Sequence, residues 1–173
     1  MSIGLARDIV ALQPYDPQWS KLFEKERDAL ITACGSDILD IEHVGSTAVP
    51  GLIAKPIIDM VASVKSFESI EKVIPILQAL GYEYMPTRMF LDRKFFPKGS
   101  SQCRTHHLNI VLRDDPNQWR DVLAFRNYLR SHPQACQAYH DLKQDLAAQF
   151  TVNRSAYTAA KAQFIQDIIA KTR

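Results

Sequence analysis

Glu42-His43-Val44-Gly45-Ser46-Thr47-Ala48-Val49-Pro50-Gly51-Leu52-Ile53-Ala54-Lys55-Pro56-Ile57-Ile58-Asp59-Met60-Val61 is the stretch whose reading decides the fold. It reads as a strand, a Gly-Ser turn, a short connection punctuated by proline and glycine, and a second strand with one acid in an apolar run. A glycine lets the backbone turn sharply and approach an anion closely, and the N–H groups that follow can point at phosphate oxygens. The Ser46 hydroxyl adds a donor, with Thr47 next to it. Asp59 is the other half of the pattern. A carboxylate inside an apolar strand is costly unless it is paired, hydrogen-bonded or bound to a cation. Three readings stand open for it: a Mg²⁺ ligand facing a cleft, a salt bridge to Lys55 or an arginine, or a strand-end position at the sheet's rim. Lys55 precedes Pro56, which favours an extended backbone there, so it either projects toward the same cleft or is a solvated loop lysine.

Working outward, residues 9–12 read as a short strand, and Asp16-Pro17 opens a helix whose apolar side is Trp19, Leu22, Phe23 and Leu30, closed by Gly35. Residues 38–44 alternate as a strand, and residues 57–64 form a nearly continuous apolar strand, as in the middle of a covered sheet. A helix starts after Ser66 and ends at Gly81, with a kink or restart expected at Pro75. Strands are expected over 82–85 and 89–96 around a bend at 86–87. A loop is expected over 97–101 and a strand over 106–112. After Asp115-Pro116 only helical spacing remains, with a restart at Pro133 and a final helix capped by Asn153 or Ser155. Strands mixed with helices, then helices alone, indicate an α+β or α/β sheet domain with a C-terminal helical layer.

The 173 residues are 46% hydrophobic and 23% charged, with a net charge of +2 and a pI near 8.4. That suits one domain with a real core, residues 1–114 supplying the sheet and 115–173 the helical layer. The charge is too mild for a whole-molecule field to drive anion binding, so local clusters must do it. No apolar run approaches the ~20 residues that cross a bilayer, and no signal peptide is read at the start. Cys34, Cys103 and Cys136 are odd in number and far apart. They suggest neither a disulfide framework nor a zinc site, and a reducing cytosol is the expected location.

Local clusters exist. Residues 86–104 contain Arg88, Arg93, Lys94, Lys98 and Arg104 against one acid, Asp92. This fits a polyphosphate, or single-stranded RNA stacked on the interleaved Phe90, Phe95 and Phe96, or simply an exposed basic hairpin. In His106-His107-Leu108-Asn109, only His107 shares a strand face with Asn109, and His43 on another strand could approach them. In the helical layer Tyr139 and Lys143, and Tyr157 and Lys161, are each four residues apart and share a helix face. They either reach back over a phosphate cleft or form plain helix surface.

The opening stretch through Asp59 resembles the signature of the GrpB-like family. His106-His107-Leu108, Phe125-Arg126-Asn127-Tyr128-Leu129-Arg130, His132-Pro133, Tyr139 with Leu142-Lys143, and Tyr157 with Ala160-Lys161 resemble its later blocks. The resemblance implies a nucleotidyltransferase-like mixed sheet flanked by helices, similar to the palm of DNA polymerase beta. It also implies an enzyme that moves a nucleotidyl group from a nucleoside triphosphate to a small-molecule acceptor with Mg²⁺ or Mn²⁺. On that pattern Gly45, Ser46 and Thr47 hold phosphates. Lys55, Arg88, Lys94, Arg104, Lys143 and Lys161 offset their charge, and Asp59, Ser46 and Lys55 carry the chemistry. The second acid of the superfamily falls at Val61, so the metal set implied is Asp59 with His107, Glu42 and His43. The alternatives are a non-catalytic module for a nucleotide or coenzyme-like anion, and a single-stranded RNA binder. A nucleotide or phosphorylated small molecule is the preferred partner over nucleic acid, because net charge is low; no membrane partner is expected.

Overall fold

Asp40–Val44 (β1) and Ile58–Val64 (β2) pair antiparallel, with Glu42 opposite Val61 and Val44 opposite Asp59. Both lie in a computed structural model that describes residues 3–85 and 93–173. Arg88, Phe90, Asp92 and the bend expected at 86–87 lie outside the described residues. Arg93–Ser100 (β3) and Cys103–Leu112 (β4) complete a four-stranded sheet in the order β1-β2-β4-β3. β4 runs parallel to β2, with Asp59 beside His107 and Val61 beside Asn109, while β3 runs antiparallel to β4 on the edge.

β2 is apolar on both faces because helices cover both. Toward one face pack Gln18–Cys34 (α1) and Glu68–Ala79 (α2), which bury Trp19, Phe23, Leu30, Ile70, Val73 and Leu77 against Ile58, Met60, Ala62, Phe96, Leu108 and Ile110. Complete burial of a residue such as Ile58 or Met60 stabilises the fold by about 1.5–3 kcal/mol. On the other face Val44, Val61 and Val111 meet Trp119 and Val122 of the C-terminal helices. Asp115 starts this layer by accepting hydrogen bonds from the Asn117 and Gln118 N–H groups, both at 2.8 Å. A π-helical turn, Pro116–Arg120, then leads into Asp121–Ser131 (α3). Pro133–Gln149 (α4), Arg154–Ala160 (α5) and Ala162–Ala170 (α6) follow. Asn153 caps α5 through the Ala156 N–H at 3.0 Å. Among the described residues, no helix is long and apolar enough to cross a membrane.

Four local expectations are corrected. Residues 9–12 form no strand; this segment is pinned by single bridges, Leu5 to Arg104 and Gln13 to Ala54. α2 runs through Pro75 without a break. Pro75 is on the exposed side of the helix, so the carbonyl it leaves unbonded faces water. Residues 82–85 contribute one bridge, Tyr82 to Lys98, rather than a strand. The loop expected over 97–101 is mostly strand, because β3 is an edge strand and an edge tolerates the missing N–H of Pro97.

Candidate anion-binding site

Gly45 follows β1 directly, and the Val44–Asp59 register sets it beside the acid. Its φ is +69°, and a Cβ there would lie 2.7 Å from Asp59 Oδ2. Only glycine fits that approach with that backbone. Ser46–Ala48 then forms one turn of 3-10 helix. Gly45, Ser46 and Thr47 form one wall of a cavity of about 330 Å³ between the ends of β2 and β4 and the C-terminal helices. Asp59, His107, Lys55, Lys143, Arg154 and Lys161 line it as well.

Asp59 Oδ1 lies 2.9 Å from His107 Nδ1. The other ring nitrogen, Nε2, is 3.4 Å from Arg154 Nη2. A carboxylate only accepts, so Nδ1 carries the proton given to Asp59, and Nε2 faces the guanidinium. Burial alone raises the Asp59 pKa, but the His107 hydrogen bond, the His107 charge and the nearby Lys55 and Arg154 charges outweigh it and hold the carboxyl below its usual range. The cations respond in the opposite sense. Burial, then the Arg154 charge, pulls Lys55 down to about 8, with Asp59 opposing. Burial also pulls Lys161 down to about 8, again opposed by Asp59 and helped by Arg154. Lys143 is buried, donates to the Ile53 carbonyl and is lowered well below its ordinary value by burial, then by Lys161 and Lys55. Aromatic faces lie beside these ammonium groups. Lys161 Nζ is 4.2 Å and Lys55 Nζ 5.5 Å from the Tyr157 ring, and Lys143 Nζ is 5.5 Å from that of Tyr139. Tyr139 in turn hydrogen-bonds Ser46.

The remaining candidates lie elsewhere. His43 faces the α1 side of the sheet, stacked on Phe23 at 4.8 Å and 3.0 Å from Thr47 Oγ1; burial pushes it down to about 4. Strand alternation puts it on the face opposite Asp59. Glu42 shares the Asp59 face but is held by Arg126 at 2.6 Å, and Arg126 also donates to the His43 carbonyl at 2.7 Å. Arg104 is bound to Glu83 and the Gly99 carbonyl. Lys98 pairs with Glu26 at 2.6 Å, and Lys94 lies 5.7 Å from the Phe67 ring. Among the described residues, the basic run is therefore largely committed to contacts within the fold. Tyr139 and Tyr157, for which the sequence left both a phosphate cleft and plain helix surface open, line the cavity, and so does Arg154.

Two divalent ions need several oxygen ligands. Among the described residues no three His, Cys, Asp or Glu side chains come together. Asp59 already accepts from His107, Val61 takes the neighbouring position on that strand face, and four basic side chains share the space. This donor set does not fit a two-metal centre.

The fold is that of a nucleotidyltransferase-like protein: the chain superposes on the Cid1 poly(U) polymerase, solved with Mg 3'-dATP bound, with a TM-score of 0.50 at 11% identity over 85% of this chain and 49% of that one. The chain belongs to the GrpB family, whose "GrpB protein" model matches residues 9–171. The GrpB crystal structure from Enterococcus faecalis superposes with a TM-score of 0.86 at 36% identity, covering 94% of this chain and 96% of that one. A UPF0157 protein of Pseudomonas aeruginosa is 35% identical over 95% of this chain and 68% of its own length.

Proposed function

We propose that the cavity beside Asp59 binds the phosphate moiety of a nucleotide or another phosphorylated small molecule, and that protein cations hold it. The observation that carries this reading is the charge balance: Lys55, Lys143, Arg154 and Lys161 line the cavity with a single carboxylate. Burial makes each ammonium costly and their proximity makes them repel. A bound phosphate reverses both penalties and leaves Asp59 and His107 as an orienting pair. The Gly45–Thr47 turn lets backbone approach the same anion. Thermal denaturation with pyrophosphate and each nucleoside triphosphate, in EDTA, tests it. At 100 times Kd a ligand adds about 2.7 kcal/mol, which for a chain of this size raises Tm by about 5–11 °C. No shift with any phosphorylated compound would remove the proposal.

Nucleotidyl transfer to a small-molecule acceptor with a single Mg²⁺ or Mn²⁺, not a two-metal centre, is the second reading. It is supported by the packing of the Gly45 turn against Asp59 in a chain with this fold. Its test is pyrophosphate release or a labelled adduct from triphosphate, metal ion and a metabolite pool. Silence across that panel counts against it.

A further inference from the structure

The cavity lining is of two chemical kinds. Gly45, Asp59 and the lysines make it polar. Val122, Phe125 and Leu129 of α3 and Ile165 and Ile169 of α6 add an apolar surface to the same space. Leu129 is buried, while Val122, Phe125, Ile165 and Ile169 are only half covered, so apolar surface faces the space. Phe125 is fixed edge-on against Tyr139, with ring centroids 5.4 Å apart, and Tyr139 stacks on Phe164 at 5.1 Å. That surface is built into the aromatic cluster of α3, α4 and α6 and is continuous with it.

A nucleobase carries amide and amine edges. Pressed against valine, leucine and isoleucine side chains, those edges lose their water partners and gain none. A hydrocarbon group gains by the same contact. A site that reads a base needs donors and acceptors where its edges fall; α3 and α6 supply carbon, and the Tyr157 and Thr158 hydroxyls of the lining lie on α5 between Arg154 and Lys161.

We propose, resting on the phosphate-binding reading above, that the preferred ligand is a phosphate or diphosphate ester of an apolar alcohol, its head on the lysine cluster and its hydrocarbon against α3 and α6. Phe125 and Ile165 then set specificity, and the lysines set affinity for the head.

Isothermal titration of the intact protein in EDTA with pyrophosphate, dimethylallyl diphosphate, geranyl diphosphate, ADP and ATP tests this. Dimethylallyl or geranyl diphosphate is expected to bind about tenfold or more tighter than pyrophosphate, and ADP and ATP no tighter than pyrophosphate. In Phe125→Ser and Ile165→Ser the ratio of geranyl diphosphate affinity to pyrophosphate affinity falls several-fold, and a ratio held at the wild-type value in both overturns the inference. Pyrophosphate binding with no gain from the tail, or nucleotides binding tighter than the prenyl esters, overturns this inference and leaves the phosphate site standing. No binding by any of the five removes both.

Discussion

Gly45→Ala is the sharpest probe of how turn and acid are joined, and Gly51→Ala is its built-in control. Both glycines have positive φ, +69° and +81°. Gly45 has ψ −168°, an extended positive-φ conformation that is essentially glycine-only, and alanine in such sparsely populated backbone costs about 1–3 kcal/mol at either position. The positions differ in what a methyl group meets. At Gly51 nothing lies within 4 Å, whereas at Gly45 the new Cβ would be 2.7 Å from Asp59 Oδ2 and 3.0 Å from its Cβ. Forcing a methyl into such space typically adds about 1–3 kcal/mol, and here it also displaces the carboxylate from His107. Gly45→Ala should therefore lose about 2–6 kcal/mol and Gly51→Ala about 1–3 kcal/mol. Urea denaturation resolves that difference, and the double variant Gly45→Ala/Asp59→Gly should recover most of the excess, apart from what the second glycine costs. Equal losses at the two glycines, or no recovery in the double variant, would refute the close approach of turn and acid.

Other consequences are equally open to measurement. Because Lys55 and Lys161 are lowered to about 8, below the unfolded value of about 10.4, the unfolded chain binds more protons between those limits. Stability of the ligand-free protein should then rise with pH from about 8 to about 10.4, read by chemical denaturation. Anion affinity should move the other way and fall about tenfold or more over the same interval, as ammonium charge is lost. Near pH 8, titration calorimetry should give enthalpies that depend on the buffer, reporting proton uptake. Asp59→Asn removes the one negative charge among the cations while keeping an acceptor for His107. Pyrophosphate should bind a few-fold tighter and the fold should lose about 1 kcal/mol, whereas a metal-dependent site would lose binding. Arg126→Met strips Glu42 and the His43 carbonyl of their shared donor. With Glu42 partly solvated, a loss of about 2–3 kcal/mol is expected by urea denaturation.

β2 was legible because an apolar run bounded by Pro56 and Ser66 has few other uses, and α1 because Asp16-Pro17 and Gly35 mark both its ends. The Gly45–Asp59 approach was legible only as a pattern, since its register depends on the pairing of β1 with β2, which no local residue announces. Pro75 and Pro97 misled for one shared reason. Proline's cost depends on whether the missing N–H would have faced protein or water, and a sequence does not say which. The basic run through Arg104 misled because its partners, Glu26 and Glu83, are brought to it by other elements. The Tyr139–Lys143 and Tyr157–Lys161 spacings did hint at a shared face. That Lys143 would be buried against the Ile53 carbonyl follows from how α4 meets the β1–β2 connection, so it appears only in three dimensions. Arg154 carried no signal beyond its charge.

Titration calorimetry of pyrophosphate against the intact protein, with EDTA and then with excess Mg²⁺, tests the central claim most directly. A site held by protein cations predicts saturable binding in EDTA that Mg²⁺ leaves unchanged or weakens, and that Lys161→Met and Lys143→Met each reduce about tenfold or more. Binding that appears only with Mg²⁺ and vanishes in Asp59→Asn would contradict it.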